Sequence, residues 1–315
     1  MKSSTFTFTD QDGIEIFVYS WEPEVEAKAV IQILHGLAEH AKRYTRVAEV
    51  LCKEGYICYA DDHRGHGLTA GDLTEATLEE NAGVLGPNGW NGVVNGAYQL
   101  SKIIEKEHPN LPLFLLGHSW GAMLTQDYIQ EWGNEIKGCI LSGTNGESDK
   151  SARKEGIKIA KDEIKKIGPT SPSIKLDEMS FKSFNNPWQN DDGATGFEWL
   201  SRDKVEVQKY VEDPWCGFIS PASLWLEFFK ANGKIYNEKN EKKIPKDLPI
   251  YIISGSLDPV GDNSTGIMAM VNRFKSYNIK NISYNLYKDG RHELFNEINR
   301  EEVFKDLINW LNLHI

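Results

Sequence analysis

Gly117-His118-Ser119-Trp120-Gly121 sets a serine between two glycines, directly after the apolar run Leu113 to Leu116 and before Ala122-Met123-Leu124. That order reads strand, sharp turn, helix. In such a nucleophile elbow the turn holds its central residue in strained backbone geometry, and only glycine leaves room for strand and helix to cross on either side. Ser119 is the candidate nucleophile.

A serine hydroxyl attacks poorly until a base takes its proton, and the base needs an acid partner to fix its tautomer and stabilise the imidazolium. Asp258 and His292 both sit in loops directly after apolar runs of strand character, Leu248 to Ile253 and Ile282 to Tyr287, in the chain order Ser, Asp, His. Three such loops can meet at one sheet edge. Asp289 lies close to His292 in sequence but reads as a turn former before Gly290. The side chain of His118 is expected to point away from its neighbour Ser119, and His63 and His66 belong to a turn that approaches the same edge. A glycine-containing turn, His35-Gly36-Leu37, ends another buried strand, so the Leu37 N–H is a candidate donor to an oxyanion.

The elements that must position these groups can be read in order. Thr5 to Thr9 and Ile14 to Val18 flank Asp10-Gln11-Asp12-Gly13 as an antiparallel hairpin. Ala29 to Leu34, Tyr56 to Ala60, Leu113 to Leu116 and Gly138 to Leu141 read as buried strands, separated by helical periodicity over Tyr44 to Cys52 and from Val93 to a stop before Pro109. Strand and helix alternating in this way predict a mostly parallel sheet wrapped by helices. The character changes at Asn145. Glu147 to Lys166 reads as a lysine-rich amphipathic helix, and Gly168 to Asn240 holds Trp188, Trp199, Trp215 and Trp225 with no clear buried strand. This predicts a helical insertion over 146–245, with the core formed by 1–145 and 246–315. Val303 to Leu313 reads as a closing helix.

Composition narrows the partners. The chain has 315 residues, 40% of them hydrophobic, and a net charge of -11, which disfavours nucleic acid and anionic lipid surfaces. A small neutral or amphiphilic molecule is expected instead. The four cysteines are scattered, and the Asp- and His-rich turn from Asp61 to Gly67 fits no metal-ligand spacing, so neither a metal nor a disulfide framework is indicated. No glycine-rich phosphate loop suggests a nucleotide, and no cofactor is expected. The N-terminal residues enter polar/apolar alternation without a signal-peptide core, and no run reaches about 18 apolar residues, so a cytoplasmic protein is expected.

His35-Gly36-Leu37-Ala38-Glu39-His40, Asp62-His63-Arg64-Gly65-His66-Gly67, Gly117-His118-Ser119-Trp120-Gly121, Ser254-Gly255-Ser256-Leu257-Asp258-Pro259-Val260 and Gly290-Arg291-His292-Glu293 together resemble the α/β-hydrolase superfamily. The likeness is closer to its monoacylglycerol lipase and lysophospholipase branch, also grouped with so-called serine aminopeptidases. It implies an eight-stranded sheet with an inserted helical cap over an acyl pocket. It also implies Ser119 as nucleophile, His292 as base, Asp258 as acid, the N–H groups of Leu37 and Trp120 as the oxyanion hole, and a lipid-like ester as substrate. In that branch the Arg64-Gly65-His66-Gly67 turn is structural. Candidate substrate contacts are Gly36, His118, Glu147 at the entrance to the insertion, and Trp215 in the segment Asp213 to Phe218. Rival readings are a peptidase or amidase of the same fold, for which Glu147 would hold a substrate amine, a short-chain carboxylesterase, and a ligand receptor without turnover.

Overall fold

The computed structural model describes residues 1–72 and 74–315. Eight strands form one sheet in the order β1-β2-β4-β3-β5-β6-β7-β8, where β1 is Lys2–Thr9, β2 Glu15–Glu22, β3 Ala29–Leu34, β4 Tyr56–Asp61, β5 Leu113–His118, β6 Gly138–Ser142, β7 Ile250–Gly255 and β8 Ile282–Tyr287. β1 and β2 pair antiparallel with Thr9 opposite Glu15, and β2 pairs antiparallel with β4; every other neighbour is parallel. The hairpin turn is held by the Asp10 carboxylate, which accepts from the N–H groups of Asp12 and Ile14 at 2.9 and 3.0 Å. Its strands run longer than the alternation alone predicts, because pairing continues beyond the residues of highest β propensity.

Residues of β3 to β7 are buried along almost their whole length, as strands covered by helices on both faces must be. On one face the helices Gly89–Glu107, Trp120–Trp132 and Thr265–Ser276 pack against Leu34, Leu115, Leu141 and Ile252. On the other, Thr45–Lys53 and Arg300–Leu313 cover Ile31, Ile33, Phe114, Ile140 and Ile253. Alternate residues of each strand therefore feed two separate cores.

Between β6 and β7 the chain leaves the sheet and forms helices, the longest being Lys150–Ile167 and Ala222–Ile235, which pack on one another. The first begins at Lys150 rather than at Glu147, because the Asp149 side chain accepts from the N–H groups of Ser151 and Ala152 and so caps it there. A small aromatic core of Trp225, Phe228 and Phe229 lies beneath it. Among the described residues no helix is long and apolar enough to cross a membrane.

Candidate active site

Parallel strands bring their C-terminal ends to one edge, and the loops leaving β3, β5, β7 and β8 meet there. At the end of β5 the chain reverses into the helix Trp120–Trp132 through Ser119, whose φ of 54° and ψ of -116° are foreign to side-chain-bearing residues. Close packing requires this reversal. A Cβ on Gly121 would overlap the carbonyl oxygen of Leu34, and one on Gly117 would overlap that of Gly121. The Ser119 N–H is anchored to Ser142 O on β6 at 2.8 Å.

Asp258 follows β7, is fully buried, and accepts from the Val260 N–H at 2.9 Å as the cap of a short 3-10 turn. His292 follows β8, and its Nδ1 lies 3.0 Å from each oxygen of Asp258. This contact leaves Nε2 as the nitrogen available to a nucleophile. Burial pushes the imidazole toward the neutral form, but the Asp258 charge and hydrogen bond win and raise its pKa above the ordinary histidine value. Asp289 instead occupies a left-handed turn position, its N–H bonded to Ser256 Oγ at 2.8 Å.

Leu37, Ser119 and Trp120 line one cavity of about 520 Å³. Among the described residues, the Leu37 and Trp120 backbone N–H groups have no hydrogen-bond acceptor. The rest of the wall is dominated by Met123, Leu176, Phe181, Phe184, Trp225 and Phe228, and Glu147 stands at its margin, 3.5 Å from Arg273 Nη1. A smaller recess bounded by Gly36, His118, Ser119, Trp199 and His292 adjoins the same serine.

The turn that carries Leu37 is held by four polar side chains, of which Tyr210 donates its hydroxyl to Ala38 O at 2.9 Å. Its first support, Glu39, was not singled out in the sequence. Oε1 of this buried carboxylate accepts from the Gly36 N–H at 2.6 Å and from the Tyr44 hydroxyl at 2.9 Å, and Oε2 pairs with Arg43. Arg43 reaches across to Glu293, beside His292, at 2.7 and 2.8 Å. Burial raises the Glu293 carboxyl, but the Arg43 charge and hydrogen bonds prevail and hold it at about 2. The only visible signal was the four-residue spacing of Glu39 and Arg43, which surface helices share.

His66 and His35 supply the other two supports. His66 Nε2 accepts from the Ala38 N–H at 3.3 Å while Nδ1 donates to Arg64 O at 2.9 Å. His35 Nε2 accepts from the His63 N–H at 3.0 Å and Nδ1 donates to Gly36 O at 2.7 Å. Both rings must be neutral to accept. Burial lowers the pKa of His66 to about 3 and that of His35 well below the ordinary value.

Residues 25–299 match the family described as Serine aminopeptidase, S33. The chain belongs to that family. A monoacylglycerol lipase of Mycolicibacterium smegmatis is 25% identical over 321 residues, covering 99% of this chain and 98% of that protein. Human monoglyceride lipase is 25% identical, over 96% of this chain and 88% of its own. The crystal structure of a thermostable carboxyl esterase from Bacillus coagulans, in complex with glycerol, superposes with a TM-score of 0.89 at 26% identity, covering 100% of this chain and 99% of that one. The sheet is that of an α/β-hydrolase.

Within this family member the structure separates the expected substrate contacts. Gly36 and His118 border the recess beside Ser119, and the His118 ring lies 4.7 Å from that of His292. Burial, then the neighbouring His292, lowers the His118 pKa to about 4. Trp215 is not at the cavity. It is buried beside a separate cleft with Tyr19, His40 and Asp213, because its segment folds back on the Leu37 turn through Gly217 N–H to Ala38 O at 2.9 Å. Cys216, His40 and Asp213 gather ligand-type atoms there, but His40 Nε2 and Asp213 Oδ2 already pair at 2.8 Å.

Proposed function

We propose that this carboxylic ester hydrolase cleaves lipid-like esters, monoacylglycerols or lysophospholipids, by two-step acyl transfer from Ser119 to water. The observation that carries the reading is the apolar cavity of about 520 Å³ that opens on Ser119, Leu37 and Trp120. Its aromatic and aliphatic wall suits an acyl chain, since such surface gains about 25 cal/mol for each Å² removed from water. Residues 146–245 then act as a cap over a core of 1–145 and 246–315.

His292, its Nδ1–H committed to Asp258, takes the Ser119 proton at Nε2 as the hydroxyl attacks the ester carbonyl. The C–O bond to the alcohol breaks once His292 returns that proton to the leaving oxygen, and the acyl group stays on Ser119. Water, deprotonated by the same nitrogen, attacks the acyl-enzyme; Ser119 recovers the proton and the fatty acid leaves. The Leu37 and Trp120 N–H groups hold the negative oxygen in both steps. Asp258 fixes the tautomer and offsets the imidazolium charge.

A peptidase reading draws support from Glu147 at the cavity margin, where Arg273 Nη1, 3.5 Å away, would compete with a substrate amine. A fluorophosphonate tests the shared chemistry. Mass spectrometry is expected to find a single adduct on the Ser119 peptide, absent after denaturation or in Ser119→Ala. An adduct elsewhere, or none, would remove Ser119 as nucleophile. Faster turnover of aminoacyl amides than of esters would favour the peptidase.

A further inference from the structure

Glu297 has no part in the chemistry described so far, yet it is completely buried and its carboxylate is shared between two distant segments. Oε1 accepts from the Arg291 N–H at 2.8 Å and the Arg202 N–H at 3.3 Å, while Oε2 accepts from Arg202 Nε at 2.9 Å and the Ile298 N–H at 3.0 Å. Arg291 precedes His292 in the loop after β8; Arg202 lies in the helical insertion. A carboxylate removed from water costs several kcal/mol unless paired and hydrogen-bonded, so four donors around it mark a junction rather than a chance contact.

The junction continues on both sides. His292 N–H donates to Trp199 O at 3.3 Å and Glu293 N–H to Leu200 O at 2.7 Å, so the insertion pairs backbone to backbone with the loop. Arg291 Nη1 reaches the carbonyls of Glu198 and Ser201 at 2.7 and 3.2 Å, and Ser201 Oγ donates to Asn296 O at 2.9 Å. The Trp199 ring then rests 4.9 Å from the His292 ring.

We propose that Glu297 is a positioning residue for His292: by clamping Arg202 to the Arg291 backbone, it fixes the segment 198–202 against the loop after β8 and thereby sets the imidazole between Asp258 and Ser119. The inference rests on the reading of His292 as the base. The insertion thus contributes to the reacting geometry as well as to the substrate pocket, and Trp199 packs against the imidazole.

Glu297→Gln keeps the shape of the side chain but turns an amide NH₂ toward donors, and Arg202→Met removes the guanidinium from Oε2 and from Asn299 Oδ1, 2.7 Å from Nη2, while the Arg202 N–H stays on Oε1. The first readout needs no substrate. In protein labelled with ¹⁵N-histidine, the His292 Nδ1–H resonance, identified by its loss in Asp258→Asn, and the pKa of the ring are followed by NMR. Asp258, Glu293, Glu39 and His118 face the ring and are unchanged in both variants. Both are expected to broaden that resonance and to lower the pKa as the Asp258 contact loosens. Their rate of phosphonylation at Ser119 is expected to fall about a hundred-fold, as for a displacement of about 1 Å in a reacting group. A resonance and pKa equal to wild type in folded Glu297→Gln would overturn the proposal, whatever the thermal stability. If the wild type is phosphonylated yet hydrolyses no ester, the substrate reading fails and the NMR comparison still decides Glu297.

Discussion

Gly36 N–H donates to Glu39 Oε1 at 2.6 Å, a bond made by a fully enclosed carboxylate to the backbone of the turn that presents Leu37. The same carboxylate binds Arg43, which binds Glu293 beside His292. One buried charge chain therefore supports both the proposed oxyanion donor and the proposed base. Removing one member leaves the others buried and unpaired, which costs more than the pair contributes.

Glu39→Gln is accordingly expected to lower kcat by about a hundred-fold with little change in KM, since the donor acts on the charge that develops in the transition state. Steady-state kinetics on a soluble p-nitrophenyl ester checks this. A rise in KM at constant kcat would show that the turn binds ground-state substrate instead.

Ser119 bears a backbone conformation that glycine adopts freely, at a cost of about 1–3 kcal/mol for other residues. Ser119→Gly is therefore expected to be inactive and more stable than wild type by about 1 kcal/mol, whereas Ser119→Ala keeps the strain and the wild-type stability. Urea denaturation of the three proteins separates them. Equal stability for Gly and Ala variants would mean that the elbow stores no strain.

Asp258→Asn removes the group that holds His292 in its tautomer and raises its pKa. A loss of about ten-thousand-fold in kcat is expected. In the wild type, neutral His292 must accept a proton, so kcat/KM is expected to rise with pH through a value above about 6.5, the ordinary histidine pKa. Retention of most activity in Asp258→Asn would move the acid role elsewhere.

The strand–turn–helix at Ser119 was readable because its glycine spacing answers a local steric demand, and the positions of Asp258 and His292 because each lies in a loop after an apolar strand run. The eight strands followed from alternation and apolar runs for the same reason. Glu39, Arg43, Glu293 and Glu297 were not readable: a charged residue looks solvated until the fold surrounds it, and their partners lie far away in sequence. Trp215 was misplaced because the insertion lacks the periodicity of a sheet. Only the tertiary bond of Gly217 to Ala38 shows where that segment turns.

Acid stability follows from the buried rings. His35, His66 and His118 have folded pKa values below the unfolded value of about 6.5, so the unfolded chain binds more protons and stability falls as pH drops below that value. Asp62, raised by burial to about 6, acts in the opposite sense, as do His292 and the carboxyls of Asp177 and Glu241, both raised by burial. Between pH 7 and about pH 4.5 the three buried rings therefore each contribute a fall in Tm. The slope is expected to shrink in His66→Gln, which keeps an acceptor without a titrating ring. A Tm difference between about pH 7 and about pH 4.5 that is the same in wild type and variant would contradict the assignment.

The most direct test of the proposed function is hydrolysis of a long-chain monoacylglycerol by wild type and Ser119→Ala, followed as fatty-acid release. The account predicts turnover by the wild type and a loss of about a million-fold in kcat for the variant. Long-chain turnover no faster than that of acetyl esters would contradict an acyl-binding cavity, and comparable rates for both proteins would contradict Ser119 as the nucleophile.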